Sequence, residues 1–79
     1  MDLSDVFSAI KAALKTAPDN DYTAELHLQV IKYADLLTDL PGSAFCRGVG
    51  IPPSYGTEFN KMRKISQRLY KAGLNPSKI

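Results

Sequence analysis

Four basic side chains near the C-terminus form the charge pattern with the clearest chemical use in this chain of 79 residues. They are spaced three, four and three residues apart, as Lys61, Lys64, Arg68 and Lys71. At about 100° of rotation per residue, this spacing places all four on one face of a helix. Such a row can contact successive phosphates of a DNA backbone. It is also typical of a solvated outer helix face, and both interpretations stay open.

The residues just before this row would begin the same helix. Ser54 is a favoured N-cap, and the free amides that follow it can also hold a phosphate at the positive end of the helix dipole. The side chains that would first meet base edges are Pro53, Ser54, Thr57 and Glu58. None is the arginine, asparagine or glutamine that reads guanine or adenine, so we predict modest sequence specificity. Glu58 can pair with Arg47, or accept a hydrogen bond from cytosine, and Arg47 and Arg63 can add contacts from other helix faces.

The net charge of +2 conceals a strong asymmetry along the chain. Residues 1–42 contain three lysines and seven acidic residues, a balance of −4. Residues 43–79 contain seven basic residues and one acidic residue, a balance of +6. This segregation favours a polyanionic partner for the second half of the chain, or attraction between the two halves.

His27 and Cys46 are the only residues of their kinds, and they lie on different predicted elements. Neither has a second ligand at the short spacing of zinc sites, so we predict no metal site and no cofactor. Cys46 falls at a position expected to be buried, and a Cys–His catalytic pair is therefore not expected. The glycines have the spacing of turns and packing contacts rather than of a nucleotide-binding loop. The chain is predicted not to be an enzyme.

Apolar spacing typical of helices runs through the whole chain, and no segment alternates as a strand does. The predicted helices cover Ser4 to Ala17, Thr23 to Leu40, Ala44 to Val49 and Tyr55 to Ala72. Ser4, Ser43 and Ser54 are the expected N-caps of the first, third and fourth helices. Gly50 and Gly73 are expected to adopt the left-handed conformation that ends the third and fourth helices.

Two of these helices have a clear apolar side. The second carries a heptad seam at Leu26, Val30, Tyr33, Leu37 and Leu40. We expect this seam to pack inside the domain, because about two and a half heptads are short for the alternative, a dimeric coiled coil. The fourth has an apolar side opposite the basic row, formed by Tyr55, Phe59, Met62, Ile65, Leu69 and Ala72.

The stretch from Gly42 to Lys61 resembles the helix-turn-helix signature, in which two helices pack at a steep angle around a small residue and a turn glycine. Cys46 takes the place of the small residue and Gly50 that of the glycine, whereas Gly56 stands where an aliphatic residue is usual. The segment FCRGVGIPPSYGTEFNKMRKISQRLYKAGLNPSKI also looks like a family of small, mostly bacterial HTH-like proteins. We expect this resemblance to cover roughly residues 33–79 and to leave residues 1–25 outside. The family is largely uncharacterised, so the resemblance implies a fold and little about activity.

Together these observations predict an all-α fold, a compact four-helix domain over residues 1–79 that contains a helix-turn-helix. The predicted function is that of a small DNA-binding protein with a regulatory or accessory role. Its predicted DNA-binding residues are Ser54, Thr57, Lys61, Lys64, Arg68 and Lys71. A homodimer formed through the first two helices would strengthen binding, because one short helix offers few contacts.

The alternative function is a protein–protein interaction module on the same scaffold, with no nucleic acid. In that case the basic row binds an acidic partner, and a second contact face is formed by Asp19, Asp21, Glu25, Asp35 and Asp39. No apolar run is long enough to span a membrane, and the acidic N-terminus does not resemble a signal peptide. A single cysteine cannot form an internal disulfide, so a cytoplasmic location is expected.

Overall fold

The computed structural model describes all 79 residues and contains four α-helices and no β-strand. The helices are α1 (Leu3–Thr16), α2 (Tyr22–Lys32), α3 (Gly42–Val49) and α4 (Gly56–Lys71). Short 3₁₀ turns cover Asp19–Asp21, Ala34–Leu36, Pro53–Tyr55 and Pro76–Lys78. Both α1 and α4 pack against α2 and α3, within extents of 30 × 27 × 24 Å. The predicted all-α, four-helix fold is confirmed. None of the four helices has the length and hydropathy of a membrane-spanning segment.

Helices α1 and α3 begin without the serine caps expected from the sequence. Asp2 caps α1: its carboxylate accepts from the Asp5 amide at 2.9 Å, while the Asp5 carboxylate accepts from the Asp2 amide at 3.2 Å. This capping box satisfies two amides at once, whereas a cap at Ser4 would satisfy only one, and the prediction for Ser4 is wrong. The prediction for Ser43 is also wrong, because Pro41 takes the N-cap position of α3 and no side chain caps it.

Helix α2 ends at Lys32, well before the predicted end at Leu40. The chain then forms the turn Ala34–Leu36, and Asp39 takes a left-handed φ of 63°. Leu37 is nevertheless fully buried, because the turn brings it back to the core side. An α-helix of 11 residues is too short for a dimeric coiled coil, and the seam packs inside the molecule.

Ten buried residues, drawn from all four helices and from the connection after α2, form one hydrophobic core. They are Val6, Ile10, Leu14, Leu26, Val30, Leu37, Phe45, Cys46, Val49 and Phe59. An aromatic stack lies in this core: the rings of Phe45 and Phe59 are 4.2 Å apart and 15° from parallel. Phe7 meets Phe45 edge-on at 6.2 Å. Both arrangements are ones that aromatic rings prefer, and they bind α1, α3 and α4 to one another.

The end of α4 agrees with the prediction. Gly73 has a φ of +108°, and its amide donates to the Tyr70 carbonyl at 3.0 Å. The Leu74 amide donates to the Leu69 carbonyl, also at 3.0 Å. These are the two hydrogen bonds of a Schellman motif, which stops the helix where the glycine predicts.

Candidate nucleic-acid interface

The turn between α3 and α4 is built around Gly50, as predicted. Its φ is +82°, in the left-handed region that glycine enters without a steric penalty. The amides of Gly50 and Ile51 both donate to the Cys46 carbonyl, at 2.8 and 3.0 Å, and so end α3. The turn Pro53–Tyr55 then leads the chain into α4. Helix α3, this turn and α4 have the arrangement of a helix-turn-helix.

Two glycine contacts let the helices around this turn approach closely. A Cβ on Gly42 would lie 3.1 Å from the Cα and carbonyl oxygen of Gly56, so the first turns of α3 and α4 meet backbone to backbone. This contact explains why Gly56 replaces the aliphatic residue that the signature expects. A Cβ on Gly48 would lie 2.2 Å from the nearest carbon of the Phe7 ring, which packs α1 onto α3.

Ser54 and Thr57, two of the predicted DNA-binding residues, are exposed at the beginning of α4. Ser54 does not cap the helix. It lies in the preceding 3₁₀ turn, and no side chain makes a cap hydrogen bond to α4. The capping prediction is wrong because the 3₁₀ turn itself leads the backbone into the helix.

The other four predicted contacts, called here the basic row, lie along the outer face of α4. Lys61, Lys64, Arg68 and Lys71 are all exposed. None of them lies within 4.0 Å of a carboxylate, since the only basic–acidic contact within that distance joins His27 to Glu58. The row therefore presents four positive charges that no protein group pairs with.

The inner face of α4 differs from the apolar side predicted from the sequence. Phe59 and Ser66 are fully buried, whereas Ile65 is 46% exposed and Ala72 is also exposed. The centre of the buried side lies roughly 60° about the helix axis from the centre of the predicted apolar side, in the direction of Arg63. The prediction is wrong at Ile65 and Ala72 because aromatic stacking and polar contacts, rather than hydrophobicity alone, orient α4. This rotation places the basic row almost directly opposite the buried side.

From the sequence, Arg63 is a candidate for additional DNA contacts, but its side chain points toward the α2–α3 connection. Its guanidinium donates to the carbonyl of Leu37 at 3.0 Å and to that of Leu40. It also lies over the Phe59 ring, with Cζ 4.6 Å from the ring centroid. The Leu37 carbonyl also accepts from the Leu40 amide at 3.3 Å, whereas the Leu40 carbonyl has no backbone donor, because the helical hydrogen bonding of α2 has already ended. The sequence shows no sign of this role, since its pattern continues α2 through Leu40.

Tyr70 makes a second polar link between α4 and the end of α2. Its hydroxyl donates to the carbonyl of Ile31. Burial, and then the negative charge of Asp35, raise the pKa of Tyr70 above its ordinary value of 10.0. The hydroxyl therefore stays protonated near neutral pH and keeps its proton for this hydrogen bond.

Glu58 is held by α2 rather than by α3. Its Oε2 lies 2.9 Å from His27 Nε2, so the predicted pairing with Arg47 is wrong. Arg47 is exposed on α3, away from any carboxylate. Glu58 is the only charged side chain among the residues at the beginning of α4 that could read bases. Its hydrogen bond to His27 occupies the carboxylate that would accept from cytosine.

Cys46 has a packing role at the predicted small-residue position. Its side chain is buried, with Sγ 4.0 Å from the Pro53 carbonyl oxygen. Burial raises the pKa of the Cys46 thiol, which disfavours the nucleophilic thiolate. No three His, Cys, Asp or Glu side chains come together in the way that metal ligands do.

An open groove of about 340 Å³ runs along one side of α4. Lys64 lines it from α4, and Asp35 and Asp39 line it from the α2–α3 connection. Lys64 is the only member of the basic row in this lining. The two aspartates of the α2–α3 connection therefore lie beside one member of the basic row, Lys64.

Comparison with known protein families shows that a family described as an HTH-like domain matches residues 2–72, which include all four α-helices. The chain belongs to the HTH-like domain family. Membership confirms the predicted helix-turn-helix and the suspected family. It corrects the expected extent, because the match includes residues 2–25 and ends at residue 72, short of the predicted end at 79. Neither the curated proteins nor the solved structures contain a significant match to the chain.

Proposed function

We propose that this HTH-like domain protein is a small DNA-binding protein with a regulatory or accessory role. In this proposal α4 lies along the major groove or across the backbone, with the basic row at phosphates and with Ser54 and Thr57 at its leading end. The observation that carries the proposal is the row of four exposed cations without carboxylate partners, on the helix that follows the turn.

Phosphate contact supplies most of the affinity in this proposal. Four phosphate contacts correspond to a salt slope of roughly −3 to −4 in a plot of log affinity against log salt. Sequence specificity is modest, because Glu58 is engaged by His27 and the other leading side chains are poor base readers. Tight binding needs a homodimer, for which α1 and α2 supply the surface. The free thiol of Cys46 suits a reducing cytoplasm.

The proposal is tested by titrating a labelled random DNA duplex, with fluorescence anisotropy as the readout at low and moderate salt. We expect Lys61→Gln/Arg68→Gln to lower the affinity at low salt by at least about tenfold and to reduce the salt slope by about two. The matched control is Lys15→Gln/Lys78→Gln, which removes the same charge from two exposed lysines outside α4. Equal losses in both variants contradict a specific role of α4.

A second candidate function is a protein–protein interaction module on the same scaffold. It is favoured by three large apolar side chains that are about half exposed: Leu28 at 45%, Leu36 at 49% and Ile65 at 46%. In this candidate the basic row contacts an acidic protein partner. Absence of DNA binding by the unaltered protein at low salt supports this function over the first.

A further inference from the structure

The basic row is not electrostatically uniform, because two acidic residues lie beside one of its members. Lys64 lines a groove with Asp35 and Asp39, whereas the other three cations do not. Both aspartates are exposed, and neither lies within 4.0 Å of a basic side chain. No ion pair neutralises these two charges, so they act on an anion that binds near Lys64. The guanidinium of Arg63 also lines the groove and reduces their effect, but it is bound to the Leu37 and Leu40 carbonyls and is not part of the basic row.

The acidic side of this groove is held in place by α4 itself. Arg63 donates to the carbonyls of Leu37 and Leu40, so that Asp39 lies within an anchored segment of the connection. Asp35 and Tyr70 line the same groove. Burial is the first cause of the raised pKa of Tyr70, and the negative charge of Asp35 is the second. The two carboxylates thus have a defined position relative to α4.

We infer that Asp35 and Asp39 limit the DNA footprint on α4, so that phosphate binding depends more on the three row cations outside the groove, while the charge of Lys64 is partly offset by the two carboxylates. The inference rests on the proposed function. A phosphate bound by Lys64 comes close to both carboxylates, and at separations of about 10 Å each repulsion in water is well below one kcal/mol. Neutralising both aspartates is therefore expected to raise the affinity about two- to fourfold at low salt, and less at higher salt.

The test compares Asp35→Asn/Asp39→Asn with Asp19→Asn/Asp21→Asn, using the random duplex and anisotropy at about 50 mM salt. The second variant is the matched control, since it removes the same charge from exposed aspartates of the α1–α2 connection. Asparagine tolerates the left-handed backbone of Asp39, so the substitution keeps the turn. We expect the two- to fourfold gain from the groove variant and a clearly smaller gain from the control.

A second comparison tests Lys64 directly. Lys64→Gln is expected to weaken binding less than Lys61→Gln in the unaltered protein, and equally in the Asp35→Asn/Asp39→Asn background. Equal gains from the two aspartate variants, or equal losses at Lys64 and Lys61 in the unaltered protein, overturn the inference and leave the proposed function standing. Absence of DNA binding in every folded variant overturns the proposed function, and the inference with it.

Discussion

Replacing Arg63 by methionine tests whether its guanidinium holds α4 against the α2–α3 connection. The substitution keeps most of the side-chain length and removes the hydrogen bonds to Leu37 and Leu40 and the contact with the Phe59 ring. Hydrogen bonds from a charged donor contribute about 1.5–3 kcal/mol each, and a cation–π contact about 0.5–1 kcal/mol. Arg63 is only half-buried, so water can compensate for part of the lost hydrogen bonding. We therefore expect the free energy of unfolding to fall by about 2–3 kcal/mol.

A chain of this size has a total stability of about 4–12 kcal/mol, so the loss is easily measured. The assay is urea denaturation followed by circular dichroism, with unaltered protein as the reference. Arg68→Met is the matched control, because it makes the same chemical change at an exposed, unpaired position of the same helix, where we expect less than about 0.5 kcal/mol. Arg63→Lys keeps the charge without the planar fork, and an intermediate loss is expected. Equal effects at Arg63 and Arg68 would refute the anchoring role.

Two further predictions concern backbone conformation and pH. Gly50→Ala is expected to lower the free energy of unfolding by about 1–2 kcal/mol in the same assay, because its φ is +82° while its Cβ would make only ordinary contacts. Gly50→Asn should lower the free energy of unfolding less than Gly50→Ala does, since asparagine tolerates the left-handed conformation. Equal losses in the two variants would contradict a backbone cause. Because the folded-state pKa of Tyr70 is raised, its contribution is fully present below pH 10.0 and is lost as pH rises further. Tyr70→Phe should flatten that alkaline fall in stability, and an unchanged fall would exclude Tyr70 as its source.

Local backbone geometry was predictable where one residue type imposes it. Gly50 and Gly73 both take the positive φ expected at helix ends, because only glycine does so without a steric cost. The caps were less predictable. Asp2 and Ser4 are both good cap residues two positions apart, and the reciprocal bonds between Asp2 and Asp5 decide between them.

The end of α2 could not be read from periodicity. Leu37 continues the apolar spacing of α2 and is buried, yet it follows a 3₁₀ turn rather than lying in the same helix. An apolar residue at helical spacing reaches the core either along a continuous helix or after a turn that returns the chain to it. The hydrogen bonds from Arg63 to this connection favour the turn, and they come from a residue more than twenty positions away.

The sequence by itself determined the number of helices, the turn at Gly50 and the helical spacing of the basic row, because these depend on residues within a few positions of one another. The tertiary structure decided which side of α4 is buried, why Arg63 faces inward and why Glu58 bonds to His27. It also decided that Lys64, alone in the row, lies beside Asp35 and Asp39. The physical reason is that helical periodicity sets the angles between side chains on one helix but not the rotation of that helix about its own axis. Stacking and hydrogen bonds with distant parts of the chain set that rotation.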